Sequence, residues 1–252
     1  MGRRALIVPF LPLLLLSAKQ VNYVADCLKD AGGEGHFARV ETVDWAFAIA
    51  RPSEKGVVTW RGRQRMKRFG TDFLIREDLE TPEGVWTVFV GSESWVQKDG
   101  FLVMDKTVFD ERVADARARS FWALAPFSFL EMASKGDYVG SAYFESRLVR
   151  RVRVEPGESK GPLPFSPPWV LQLDPDTSRL RGIAFGEGGE RLLFEDHTLR
   201  QNLLNIPERW TTFNKAGQRM AVLQVRGVVY NSYLDENVFT ASAHATQGEY
   251  PQ

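Results

Sequence analysis

Between Val43 and Ile49 the chain alternates. Val43, Trp45, Phe47 and Ile49 are large and apolar, and Asp44, Ala46 and Ala48 separate them. Successive side chains of a strand point to opposite faces, so this stretch presents one strongly apolar face. The same period of two, broken by turn residues, governs most of the chain. Lys55–Arg61 follows the turn-like Arg51-Pro52-Ser53-Glu54. Arg63–Phe69 and Phe73–Leu79 flank Gly70-Thr71, and Val85–Val90 is entered from Thr81-Pro82-Glu83-Gly84. Ser94–Lys98 and Phe101–Asp105 flank Asp99-Gly100, a strong hairpin signal. Further strands are expected over Arg147–Glu155, Trp169–Leu173, Leu180–Phe185, Arg191–Glu195, Glu208–Asn214 and Met220–Asn231. The expected fold class is mainly β with a few helices (α+β), about a dozen strands in an antiparallel meander.

Two segments depart from this period. In Lys19–Ala31 the residues Val21, Val24, Ala25, Leu28 and Ala31 share a helical face, and Gly32-Gly33 ends the run. Asp110–Ala125 is rich in Ala, Arg and Glu, which favour helix, with a weak stripe of Val113, Ala114 and Phe121. Pro126 ends or kinks it, and Phe127-Ser128-Phe129-Leu130 adds an apolar knot. Pro156–Pro168 reads as a loop inside one domain, because the strands on both sides follow the same grammar. The domain is expected over 19–243, with a frayed tail at 244–252.

Met1–Ala18 has a different character. Arg3 and Arg4 precede a short apolar run, Ala5–Leu16, and Ser17-Ala18 are small. That is the layout of a signal peptide cleaved near Ala18, and it implies an exported, periplasmic protein. The alternative is an uncleaved anchor that keeps the protein at the membrane. The run falls short of the roughly 20 residues that span a bilayer, and Pro9 and Pro12 interrupt it.

Lys+Arg and Asp+Glu both number 32, so no global basic field favours nucleic acid. A single cysteine, Cys27, excludes an internal disulfide framework and a Cys-rich zinc site. It reads as a half-buried helix residue. Three histidines, His36, His197 and His244, leave little material for metal or acid–base chemistry. No metal site and no cofactor are expected. The nucleophile elbow, the zinc-protease helix motif and the glycine-rich phosphate loops are absent from the sequence. Gly186-Glu187-Gly188-Gly189 reads as a hairpin turn.

Asp196-His197 suggests half of a catalytic relay, but neighbours on a strand face opposite ways, so a surface histidine is expected. His36 reads as a capping or packing residue. Glu77, Asp78 and Glu80 read as a solvated strand edge. Arg61, Arg63, Arg65 and Lys67 alternate, so they share one strand face. That face is either a solvated outer surface or a patch for an acidic envelope partner or lipid headgroup. Arg147, Arg150, Arg151 and Arg153 form a second cluster with the same two readings. The aromatics carry more information: seven tryptophans and 17 phenylalanines lie mostly in the strands and the central helix. Each buries roughly 150–250 Å². They fill a solid core or line an apolar cavity between sheet and helices.

The order of elements resembles the exported outer-membrane lipoprotein-sorting proteins, with the fold of the periplasmic lipoprotein carrier (LolA-like). The resemblance runs over about residues 19–240. It rests on the first helix with its Gly-Gly exit and on Thr42-Val43-Asp44-Trp45-Ala46-Phe47. It continues in Ser120-Phe121-Trp122-Ala123-Leu124-Ala125-Pro126-Phe127 and in Leu171-Gln172-Leu173-Asp174-Pro175-Asp176-Thr177. It closes with Val228-Val229-Tyr230-Asn231-Ser232-Tyr233-Leu234-Asp235-Glu236-Asn237-Val238-Phe239. The resemblance implies a strongly curved antiparallel sheet, an incomplete barrel, with helices as a lid over an apolar interior.

The functional expectation is a non-enzymatic carrier that holds a lipid or the acyl chain of a lipoprotein. The candidate lining residues are Trp45, Phe47, Trp60, Trp86, Phe121, Trp122 and Phe127. Asp110–Ala125 would move as the lid. The alternative is a structural or interaction domain of the cell envelope with a filled core, docking a partner through the Arg61, Arg63, Arg65 and Lys67 face. A third reading, a hydrolase, requires Cys27 or a serine beside His197 or His36.

Overall fold

In the computed structural model, which describes residues 21–70, 72–130, 136–155, 168–186 and 189–240, the alternation of Val43–Ile49 becomes a long strand. Strand β1 (Thr42–Ser53) buries Val43, Trp45, Phe47 and Ile49 on one face. It runs through Arg51-Pro52-Ser53, so the turn falls later, at Glu54-Lys55. The next two expected strands are one, β2 (Gly56–Phe69). Gly62 does not break it. A Cβ there would lie 2.4 Å from Cζ of Phe47, so the missing side chain makes room for that ring. The meander continues through β3 (Asp72–Thr81), β4 (Gly84–Val90), β5 (Trp95–Lys98) and β6 (Phe101–Leu102). At the β5–β6 turn Asp99 and Gly100 both have positive φ, as a two-residue hairpin of this type requires.

A second meander holds β7 (Asp137–Phe144), β8 (Arg147–Val154), β9 (Trp169–Leu173) and β10 (Leu180–Phe185). It ends with β11 (Arg191–Arg200), β12 (Leu204–Phe213) and β13 (Arg219–Tyr230). Strand β1 pairs with β13, with Phe47 opposite Val225 and Ile49 opposite Leu223. The two meanders thus form one 13-stranded antiparallel sheet with β6 and β7 at its edges. The sheet is curved and does not close. Strand β7 carries no sequence signal, because most of its residues are exposed and no alternation marks it. The expected signal peptide, the tail at 244–252 and nearly all of the proline-rich loop lie outside the described residues.

Helix α1 (Tyr23–Asp30) is capped by Asn22, whose side chain accepts from the Ala25 amide. Cys27 is fully buried in it, deeper than expected, and burial pushes its thiol pKa up. A short helix α2 (Glu34–Phe37) follows and carries His36. The long helix α3 (Lys106–Ala123) starts four residues before the expected Asp110. Asp105 caps it, accepting from the amides of Thr107 (2.8 Å) and Val108 (3.1 Å). It and the short α4 (Phe127–Leu130) lie in the connection from edge strand β6 to edge strand β7. The connection therefore has to pass from one edge of the sheet to the other, and α3 does so across the inner face. A 3₁₀ turn, η1 (Glu236–Phe239), packs on the outer face of β3 and β4, where Phe239 meets Phe89.

Candidate ligand-binding interior

Register fixes what faces α3. One row across the sheet reads Trp45, Gln64, Glu77, Val88 and Val96. The next reads Phe47, Gly62, Leu79, Trp86 and Lys98. On the other meander Trp210, Phe194, Leu171, Ile183, Trp169 and Phe185 belong to the same buried cluster. The seven aromatic candidates all come to this interior. Trp45, Phe47, Trp86, Trp122 and Phe127 are buried, and Trp60 and Phe121 are partly buried against them. Phe121 and Trp122, at the end of α3, meet Trp169 edge-on and at a tilt, at ring-centroid distances of 6.0 and 6.1 Å. Phe37 of α2 stacks on Phe127 at 4.7 Å and contacts Phe73. The interior is thus stoppered at the end where β2 reaches Arg68.

The centre of this apolar surface holds a polar fastening. Glu77 is fully buried and Arg119 of α3 nearly so. Arg119 Nε donates to Glu77 Oε2 at 2.7 Å, and Nη2 donates to Oε1 at 2.6 Å, a bidentate pair. Gln64 Nε2 donates to Glu77 Oε2 (2.8 Å) and to the carbonyl of Ala116 in α3 (2.9 Å). Burial alone would lower the Arg119 pKa, but the Glu77 charge outweighs it and the net direction is upward. The contact ties the helix to strands β2 and β3. The expectation of Glu77 as a solvated edge residue is corrected here. Ile75, Glu77 and Leu79 share strand parity, and that alternation was the available signal.

Polar atoms remain unspent around the interior. The indole N–H groups of Trp45 and Trp86, the Gln64 carbonyl oxygen and the Tyr230 hydroxyl are buried without a hydrogen-bond partner. Buried polar groups are rarely left so, and each marks a place where a partner atom would be stabilising.

The outer face behaves differently. Arg61, Arg63, Arg65 and Lys67 do share it, but it is not a free basic patch. Arg63 pairs with Asp44 at 2.6 Å, Arg65 with Asp78, and Lys67 with Glu236 at 3.2 Å. Arg61 stands opposite Glu80 in register. The reason is local: carboxylates from β1, β3 and η1 fall beside the cations of β2. A groove of about 610 Å³ lies on this side, lined by Thr42, Lys67 and Ser232–Asn237. It is wide open to solvent and none of the seven aromatics borders it.

His197 is also corrected. It is partly buried in β11, and burial, reinforced by Arg179 and Arg181, holds its pKa down to about 3. Asp196 beside it has φ of 53°, a local irregularity in the strand. Burial keeps the Cys27 thiol protonated, so it is not the thiolate that a cysteine nucleophile uses. Among the described residues no group of three or more His, Cys, Asp or Glu side chains could hold a metal ion. No described helix is long and apolar enough to cross a membrane.

No family model matches the chain, and no curated protein matches it in sequence. Solved structures do. A DUF1329 family protein from Desulfovibrio piger superposes with a TM-score of 0.58 at 10% identity, covering 88% of this chain and 97% of the other. An outer membrane lipoprotein-sorting protein domain from Vibrio parahaemolyticus superposes with a TM-score of 0.53 at 13% identity, covering 86% and 97%. At such identities the likeness is one of architecture: the chain has the LolA-like fold, a curved and unclosed antiparallel sheet whose inner face is covered by helices.

Proposed function

We propose that this protein is a non-enzymatic carrier of the cell envelope that holds an acyl chain between the inner face of the sheet and α3. The observation that carries this reading is how α3 is attached. A helix that permanently seals a core presents a wide apolar stripe. Helix α3 breaks such a stripe: Arg112, Arg119 and Ser120 lie on the inner side among Phe109, Val113, Ala116, Trp122 and Ala123, and its central attachment is the Arg119–Glu77–Gln64 fastening. Such a cover would lift as one body by breaking that fastening, and the surface beneath it is largely apolar. An acyl chain entering there gains roughly 0.8 kcal/mol per buried methylene. One structural neighbour is named as a lipoprotein-sorting domain, which favours an amphiphilic cargo.

The proposed mature unit runs over 19–243, exported to the periplasm after removal of residues 1–18. Its proposed partner is a lipid or an acylated lipoprotein in transport toward the outer membrane. Trp45, Phe47, Trp60, Trp86, Phe121, Trp122 and Phe127 are the proposed lining. The second reading, an interaction domain with a filled core, is favoured by one observation. Phe121 and Trp122 meet edge-on at 4.9 Å, and Trp122 also meets Phe185 at 5.6 Å, as in a filled core.

Native mass spectrometry of the protein purified gently from a membrane-containing extract, followed by organic extraction, separates the two. The carrier reading expects a co-purifying lipid or acylated peptide that is lost in Trp122→Asp. A ligand-free mass that also fails to take up a fluorescent fatty acid contradicts it and leaves the interaction domain.

A further inference from the structure

The end of the interior away from α2 and α4 carries a set of charges that the fold does not use. From Arg68 back to Trp60, strand β2 runs about 26 Å at roughly 3.3 Å per residue. At the Trp60 end, Arg51 of β1 stacks over Trp60 with its Cζ 4.1 Å from the ring centroid. Arg112 of α3 lies between two indoles, 4.0 Å from Trp86 and 5.9 Å from Trp60. Lys98 of β5 places its Nζ 5.2 Å from the Trp86 ring centroid. Three cations from three elements thus surround two tryptophans.

Their acidic partners are few. Arg51 and Lys98 make no ion pair among the described residues. Arg112 has only Glu83, at 3.8 Å, and that carboxylate is 68% exposed. Asp115 reaches Arg119 at 3.5 Å, and Glu77 already neutralises Arg119. Two donors here are buried and unspent, the Arg51 Nε–H and the Trp86 Nε1–H, and Trp86 is only 4% exposed. Burial lowers the Arg51 pKa. Asp115 opposes this, and the nearby Arg119 and Arg112 add to it. Every group in the cluster is a donor or a cation, so what is missing is an acceptor with negative charge. The outer face offers the contrast, since there each cation of β2 has a carboxylate beside it.

We propose that Arg51, Trp60, Trp86, Lys98 and Arg112 form the seat for an anionic headgroup, a phosphate or carboxylate, at the end of the acyl-chain site. This rests on the carrier reading above and adds the chemical class of the cargo: an anionic amphiphile. The tryptophans pack against the first part of the chain while the guanidinium groups and Lys98 take the charge. Arg51 and Arg112 supply planar donor pairs suited to a phosphate or carboxylate.

The test is a titration followed by tryptophan fluorescence, with three probes: a long-chain alkyl phosphate, the alcohol of the same chain length, and inorganic phosphate. The wild-type protein is expected to bind the alkyl phosphate about tenfold or more tightly than the alcohol, with inorganic phosphate far weaker than either. Arg51→Gln is expected to remove most of that preference, weakening the alkyl phosphate far more than the alcohol. Lys98→Gln, on a different strand, provides the same readout should Arg51→Gln fold poorly. Equal affinity for alkyl phosphate and alcohol overturns the headgroup seat and leaves the carrier reading standing. Inorganic phosphate binding as tightly as the alkyl phosphate makes this a free-anion site and overturns the amphiphile. Binding of neither chain overturns both readings together.

Discussion

On the outer face of β2, Arg63 grips Asp44 at 2.6 Å with its side chain 58% exposed. One residue further along, on the inner face, Gln64 and Glu77 sit at 0% exposure, and Glu77 meets Arg119 from α3. The sheet carries charge on both faces, and burial gives the two sets different work. Outside, cross-strand pairs hold register and keep the surface soluble, and water screens them. Inside, one pair is shielded from water, so it is strong, directional and costly to leave half-made. The sheet is built by the first set, and the helix is tied to it by the second.

The largest expected effect separates these two roles. Glu77→Ala strands the Arg119 charge in the interior and is expected to cost about 3–5 kcal/mol in denaturant unfolding. The double change Glu77→Leu with Arg119→Leu is expected to recover most of that, because no buried charge is left unpaired. A Glu77→Ala loss of under about 1 kcal/mol would erase the distinction between the faces.

Packing draws the same line more finely. Gly62→Ala places a Cβ against the Phe47 ring and 2.8 Å from the Asp78 carbonyl oxygen. It is expected to cost about 1–3 kcal/mol by overpacking. Its outer neighbour gives the control: Ala46 is exposed, and Ala46→Val is expected to stay within about 0.5 kcal/mol. Paired thermal melts check both.

The third test is pH. His197 has a folded pKa near 3, below its ordinary 6.5. The unfolded chain therefore takes up the proton first. The stability tied to neutral His197 is whole above about pH 6.5 and is lost as pH falls toward 3. The slope is at most about 1.4 kcal/mol per pH unit, and His197→Gln should flatten it in unfolding curves taken at pH 7, 5.5 and 4. The smallest effect belongs to the outer face. Arg63→Ala is expected to cost about 0–1 kcal/mol, and less in high salt.

Much of this architecture was legible. The alternation of Val43, Trp45, Phe47 and Ile49 marks the inner face of β1, and the seven aromatics do gather on one interior. Asp99-Gly100 marks its hairpin. What escaped has physical reasons. Gly62 reads as a break, because the Phe47 ring that fills its place comes from another strand. Asp105 reads as the end of a strand, because a capping carboxylate looks like any turn residue until the helix is known. Glu77 reads as solvated, because Arg76 and Asp78 beside it are polar, although Ile75 and Leu79 assign it to the inner face. The basic run of β2 looks free, because its carboxylate partners come from β1, β3 and η1. The cluster of Arg51, Lys98 and Arg112 is invisible in sequence, since its members are far apart in the chain.

A carrier of this kind holds its acyl chain between the sheet and α3. Photocrosslinking with a diazirine fatty acid, followed by peptide mapping, reads that directly. Labels on Trp45, Phe47, Trp86, Phe121, Trp122 or Phe127 are the expected result. Labels confined to exposed side chains such as Tyr143, Leu148 and Tyr233, or no labelling at all, would contradict it.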